Sequence, residues 1–157
     1  MTQEDLQILL VEDNPNDVKL TLHALREGNL ANAIQVARDG EEALDFLFCR
    51  GEFAQRSFDH PPRLVLLDLK LPKVDGLDIV RAMKGDPRTQ AIPVVVLTSS
   101  NEESDLVRSY QLGANAYIQK PLDFDSFRQT VKQLGLFWLV VNAPPPPSAF
   151  APERTLG

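Results

Sequence analysis

The chain has a single cysteine, Cys49, in 157 residues, so no internal disulfide can form and thiolate-rich metal centres are excluded. Histidine is almost as scarce. His23 falls in a helical pattern and His60 sits beside Pro61 and Pro62, and neither has the neighbours that metal ligation or nucleophilic catalysis would need. No uncharged apolar run approaches the roughly 20 residues that span a bilayer, and no basic segment leads into an apolar one as in a secretion signal. No membrane association is expected, and the cytoplasm is the expected compartment. Lys and Arg never form a run, and a formal net charge of -6 leaves no electrostatic footprint for phosphate backbones, so direct nucleic-acid binding is not expected.

Short apolar runs are present in regular alternation with helical patterns. QILLV at 7 to 11, AIQVA at 33 to 37, LVLL at 64 to 67, PVVVL at 93 to 97 and AYI at 116 to 118 read as five strands. The first, third and fourth are nearly continuous in apolar residues, the mark of parallel strands covered on both faces. Asn14 followed by Pro15 caps a first helix that ends near Gly28. A second covers 41 to 49 with Ala43, Leu44, Leu47 and Phe48 as its buried stripe, and a long loop follows from Gly51 to Pro62. The third runs from Gly76 to Lys84 and the fourth from Glu102 to Leu112, stopped by Gly113. The fifth starts near Asp123, with Phe124, Phe127, Val131 and Leu134 facing inward. Residues 1–142, including an apolar FWLVV run, are expected to form one domain, and the proline-rich residues 143–157 a loose tail.

Such a chain folds as an α/β doubly wound sheet of five parallel strands, and ligands of these sheets bind at the carboxyl ends of the strands. There the sequence concentrates its polar residues. The first strand ends in Glu12-Asp13, the third in Asp68, the fourth in Thr98 and the fifth in Lys120-Pro121. If the first and third strands are neighbours, three carboxylates meet. Each like-charge contact at about 5 Å costs about 3 kcal/mol at an effective dielectric near 20. The group must hold protons or a cation, and all-oxygen ligands on an open edge suit Mg²⁺ better than the fuller cage that Ca²⁺ takes. A carboxylate beside that ion, with the Thr98 hydroxyl and the Lys120 ammonium, makes a receptor for a phosphoryl group, with Asp68 as its nucleophile.

The segments ILLVEDNP, LVLLDLKLPKVDG, PVVVLTSS and YIQKP, in this order at these strand ends, resemble the response-regulator receiver domain of two-component signalling over residues 6 to 134. The resemblance implies the flavodoxin-like strand order 2-1-3-4-5. It implies Asp68 as phosphoacceptor, Glu12, Asp13, Asp68 and the backbone carbonyl of Lys70 as Mg²⁺ ligands, and Thr98 and Lys120 as phosphoryl-binding residues. Thr98 and Tyr117 would form the switch, and the Lys120–Pro121 bond would be cis. Lys70 and Ser100 occupy the two positions that tune the lifetime of the acyl phosphate, and slow self-dephosphorylation is implied.

A narrower similarity lies in FLFCRGEF, GDPRTQAIPVVVLTSS, RSYQLGANAYIQKPLD and FWLVV. It points to single-domain regulators paired with phytochrome-type histidine kinases, which form homodimers through helix 4, strand 5, helix 5 and a C-terminal extension. Phe137, Trp138, Leu139, Val140 and Val141 would then line the dimer interface, and a contiguous apolar run beyond a helix end is itself a contact signal. Folding of that run onto its own core is the competing reading. The competing functions are a degenerate receiver that docks without phosphorylation, an aspartate phosphohydrolase and a flavin module. The phosphohydrolase lacks an acid two residues after Asp68, where Lys70 stands, and EDNPND after the first strand would repel a flavin phosphate.

Overall fold

Residues 8–27 and 34–150 are described by the structure, a computed structural model. Strands β1 (Ile8–Val11), β2 (Ile34–Ala37), β3 (Leu64–Leu67), β4 (Val94–Thr98) and β5 (Ala116–Gln119) form one parallel sheet in the order β2-β1-β3-β4-β5. Five helices alternate with them: α1 (Pro15–Glu27), α2 (Gly40–Leu47), α3 (Gly76–Lys84), α4 (Glu103–Leu112) and α5 (Phe124–Leu136). This is the doubly wound sheet anticipated above. Gln7, Gly28, Ala33 and residues 151–157, on which some of the anticipated boundaries fall, lie outside the described residues.

Strand parity builds two cores. Leu9 and Val11 of β1, with Val65 and Leu67 of β3, pack against Phe46 and Leu47 of α2 and Ile79, Val80 and Met83 of α3. Ile8, Leu10, Leu64, Leu66, Val95 and Leu97 point the other way, against Val18 and Leu25 of α1 and Phe127 and Val131 of α5. Every residue of β1, β3 and β4 is buried, whereas Ile34, Gln35 and Val36 of β2 and Ala116, Tyr117 and Ile118 of β5 are half-buried, as edge strands should be.

Several local expectations are corrected. Phe46, not Leu44 and Phe48, completes the buried stripe of α2, because the helix ends at Leu47 and Phe48 becomes its half-buried cap. Phe124 is 54% exposed: it is the first residue after the Asp123 cap, and the helix turns inward only at Phe127. No cis peptide occurs among the described residues, so Lys120–Pro121 is trans. Trans is the lower-energy isomer by about 0.5–1 kcal/mol, and Lys120 reaches its partners without the cis form. The FWLVV run is a π-helical turn, Phe137–Val141, which divides the apolar residues. Leu139 is buried and the half-buried Trp138 packs against the same core, whereas Phe137, Val140 and Val141 remain exposed. The proline-rich segment is described as far as Phe150, the last residue of a short 3-10 turn, Pro147–Phe150, which packs against the α2–α3 core.

Register delivers the polar strand ends to one place. Val11 pairs with Leu67, so Glu12 and Asp68 emerge side by side, and the Asp68 amide donates to the Val11 carbonyl at 3.0 Å. Thr98 pairs with Gln119, and the Lys120 amide donates to the Thr98 carbonyl at 2.7 Å. Gly76, the first residue of α3, lets that helix approach: an added Cβ would lie 2.6 Å from the Asp68 carbonyl oxygen and 2.6 Å from Leu69 Cα. Gly76→Ala is therefore expected to cost about 1–3 kcal/mol in urea unfolding. It is also expected to weaken divalent-ion binding at Asp68, since the backbone that must shift carries that residue. Unchanged stability and ion affinity would show that the loop yields freely.

Candidate functional site

The site grows from four strand ends, those of β1, β3, β4 and β5, and one helix start, that of α1. Asn14 caps α1 by accepting from the Asn16 amide at 2.9 Å and the Asp17 amide at 3.2 Å, which fixes the turn carrying Glu12, Asp13 and Asp17. Glu12 is 3% exposed and Asp68 6% exposed, while Asp13 is open to solvent. One carboxylate oxygen from each of the three lies within 4.8 Å of the others. The three acids thus meet as the strand ends predicted.

Asp68 is held on both oxygens. Oδ1 accepts from the Thr98 hydroxyl at 2.8 Å and from the Lys70 amide at 3.2 Å, and Oδ2 accepts from the Lys120 ammonium at 3.0 Å. Burial alone would raise the Asp68 pKa, but the Lys120 charge and these hydrogen bonds outweigh it and hold the carboxyl below its ordinary range. It is an anion at neutral pH. Lys120 also donates to Glu12 and, at 2.8 Å, to Asp17. Burial opposes its charge, yet the hydrogen bonds to Asp17 and Glu12 raise its pKa above the ordinary lysine value. Burial pushes Glu12 up to about 7, against the pull of Lys120 and with the Asp68 charge adding to the rise.

Asp17 is the member that sequence reasoning missed. It lies in the first turn of α1, three residues after the Asn14 cap, and an acid so near the Glu12-Asp13 pair was the available signal. With Asp17 included, Glu12, Asp17 and Asp68 contact the Lys120 ammonium and Asp13 lies beside Glu12 and Asp68, leaving an excess of negative charge. Carboxylate oxygens from Glu12, Asp13 and Asp68, with no sulfur or imidazole, fit a hard divalent cation that keeps waters and takes phosphate oxygens. The Lys70 side chain points elsewhere, its ammonium 3.7 Å from Asp105.

Beyond Asp68 the polar chain continues. The Ser100 amide donates to Thr98 Oγ1 at 3.3 Å, and the Tyr117 hydroxyl donates to the Ser100 carbonyl at 3.0 Å. Thr98 and Tyr117, paired in the sequence reading as a switch, are thus linked through one loop residue. The five residues of the FWLVV run make none of these contacts and follow the end of α5.

A family model, response regulator receiver domain, matches residues 8–132. Response regulator Rcp1 of Synechocystis sp. is 38% identical over 132 residues, covering 84% of this chain and 88% of its own length. The crystal structure of its Mn²⁺-bound form superposes with a TM-score of 0.83 at 36% identity, over 90% of this chain and 99% of that one. The phosphorylated cyanobacterial phytochrome response regulator RcpA gives a TM-score of 0.84 at 40% identity, again over 90% and 99%. The bacteriophytochrome response regulator AtBRR is 54% identical with a TM-score of 0.68, over 88% and 99%.

Glu12 supplies a pH test. Its pKa in the folded protein lies above the value of 4.5 it takes when unfolded, so the folded state keeps a proton that the unfolded state releases. Stability without divalent ion should therefore fall as pH rises from 4.5 towards 7. Wild type is expected to lose about 1–2 kcal/mol more than Glu12→Gln between pH 5 and 7.5 in urea unfolding with a chelator present. Added Mg²⁺ is expected to stabilise wild type more than the variant, and parallel pH profiles would refute the assignment.

Proposed function

The chain belongs to the response regulator receiver domain family, and from that premise we propose that Asp68 takes a phosphoryl group from a histidine kinase and thereby switches a protein-binding face. The observation that carries this reading is the hydrogen bonding of Asp68, anionic and contacted on both oxygens by Thr98, Lys70 and Lys120 beside the Glu12–Asp13 pair. An Asp68 oxygen attacks phosphorus, the phosphorus–nitrogen bond of the donor phosphohistidine breaks, and its electron pair stays on the imidazole. The acyl phosphate so formed places its oxygens near the Lys120 ammonium and the Thr98 hydroxyl. Mg²⁺, held by Glu12, Asp13, Asp68 and the Lys70 carbonyl, would neutralise charge on the transferring group. Relatives whose names refer to a phosphorylated form and a Mn²⁺-bound form support both assignments.

Similarity to regulators named for phytochromes supports a phytochrome-type kinase as donor and the cytoplasm as the place of action. Leu122 is fully exposed two residues beyond Lys120 and offers an apolar contact for that kinase at the rim of the site. Thr98 and Tyr117 would carry the state of Asp68 to α4 and β5. Leu106, Val107 and Tyr110 of α4 and Leu136, Phe137, Val140 and Val141 at the end of α5 leave an exposed apolar face that supports a homodimer. Trp138 and Leu139 would support that face from within. Output is then by protein contact, without nucleic acid.

Incubation with acetyl phosphate and Mg²⁺, followed by intact mass, tests the central reading. A persistent gain of one phosphoryl group, lost in Asp68→Asn and without Mg²⁺, is expected. Continuous phosphate release would support the phosphohydrolase, and no uptake would support a docking module. Neither Lys70 nor Ser100 presents a carboxylate or amide to orient an attacking water, so decay of the phosphoprotein is expected to be slow. Lys70→Asn is expected to accelerate it, and an equal or slower decay contradicts the assignment.

Sedimentation with and without beryllofluoride tests the dimer. A mass of two chains, reduced by Val140→Asp, is expected, and a monomer under both conditions would refute that interface.

A further inference from the structure

Helix α4 is anchored unusually lightly. Of its ten residues, all described, only Ser109 is buried, and Leu106, Val107 and Tyr110 face outward. A helix with so little apolar burial depends on its polar attachments for its position. At its amino-terminal turn those attachments converge on Asp105. The Ser100 hydroxyl donates to Asp105 Oδ2 at 2.6 Å, and the Lys70 ammonium lies 3.7 Å from the same oxygen. The Ser100 hydroxyl also accepts from the Glu102 amide at 3.3 Å, so this one buried residue contacts Thr98, Tyr117, Glu102 and Asp105.

Lys70 therefore spans two places. Its amide touches Asp68 Oδ1, while its ammonium is held on the first turn of α4. A phosphoryl group on Asp68 would replace one carboxylate charge with nearly two negative charges on phosphate oxygens, a net gain of about one, within reach of that flexible side chain. The ammonium would then have two anionic partners that it cannot satisfy together.

We propose that Asp105 is a positioning residue that holds the Lys70 ammonium while Asp68 is free and yields it to the phosphoryl group once Asp68 carries one, loosening the start of α4. This rests on the phosphoacceptor reading and adds to it a competition between two anions for one lysine. The Lys70–Asp105 pair is an attachment that phosphorylation removes, whereas the Ser100–Asp105 hydrogen bond remains.

Beryllofluoride with Mg²⁺, titrated into the full chain and followed by fluorine NMR, tests the competition as a double-mutant cycle. Asp105→Asn keeps the size of the side chain and an acceptor for Ser100 but loses the charge. It is expected to tighten beryllofluoride binding by about three- to fivefold, the scale of a partly exposed ion pair. In a Lys70→Met background, which leaves the Lys70 backbone carbonyl in place, the same substitution is expected to have no effect. Asp105→Glu should restore wild-type affinity. Amide exchange over residues 103–109 is expected to quicken when wild type binds beryllofluoride and to be already fast in unliganded Asp105→Asn. Unchanged or weaker binding by Asp105→Asn, or equal tightening with and without Lys70, overturns the proposal while leaving the phosphoacceptor reading intact. A wild type that takes up no beryllofluoride overturns both.

Discussion

The Lys120 ammonium is the interaction on which the site depends. Four carboxylates are brought together by strand register and by the start of α1, and at this density their mutual repulsion is worth several kcal/mol. Lys120 touches Glu12, Asp17 and Asp68 at once and so makes the cluster tolerable in the absence of a metal. It also keeps Asp68 ionised despite burial, the condition a nucleophilic carboxylate must meet. The same cation that permits folding also prepares the site to receive an anion.

From this centre outward, the fold consists of rigid layers and one loosely held element. β1, β3 and β4 are buried on both faces by helices whose apolar stripes alternate with strand parity, and they fix Glu12, Asp68 and Thr98. By contrast, α4 adds little to either core and meets the site through Ser100 and Asp105. A domain arranged in this way can change charge at the strand ends without repacking its interior. Among the five helices, α4 is the one with least apolar burial.

Much of this was legible in the sequence because the chemistry sits at strand ends, where an apolar run stops at a polar residue. Glu12, Asp68 and Thr98 are each the first polar residue after such a run, Asp13 and Lys120 are each the second, and all five meet in space. Asp17 and Asp105 were not legible in the same way, because each lies on the first turn of a helix and its role depends on partners from other elements. Phe124 misled because position one of a helix follows the cap rather than the apolar stripe. Trp138 and Leu139 misled because a run apolar at every position does not reveal which side faces inward, and the widened winding of that turn decides it. Phe150 lies beyond four prolines, where a sequence offers no periodicity to read.

That widened turn has a consequence for how the chain tolerates length changes. The Asn142 amide reaches back five residues to the Phe137 carbonyl, one more than in an α-helix, and of the aromatic pair beside it Phe137 is exposed and Trp138 half-buried. Removing one residue there would rotate everything after it by about 100°. Apolar side chains now in the core would move to the surface and others would turn inward, so an unaltered composition could present a different outer face.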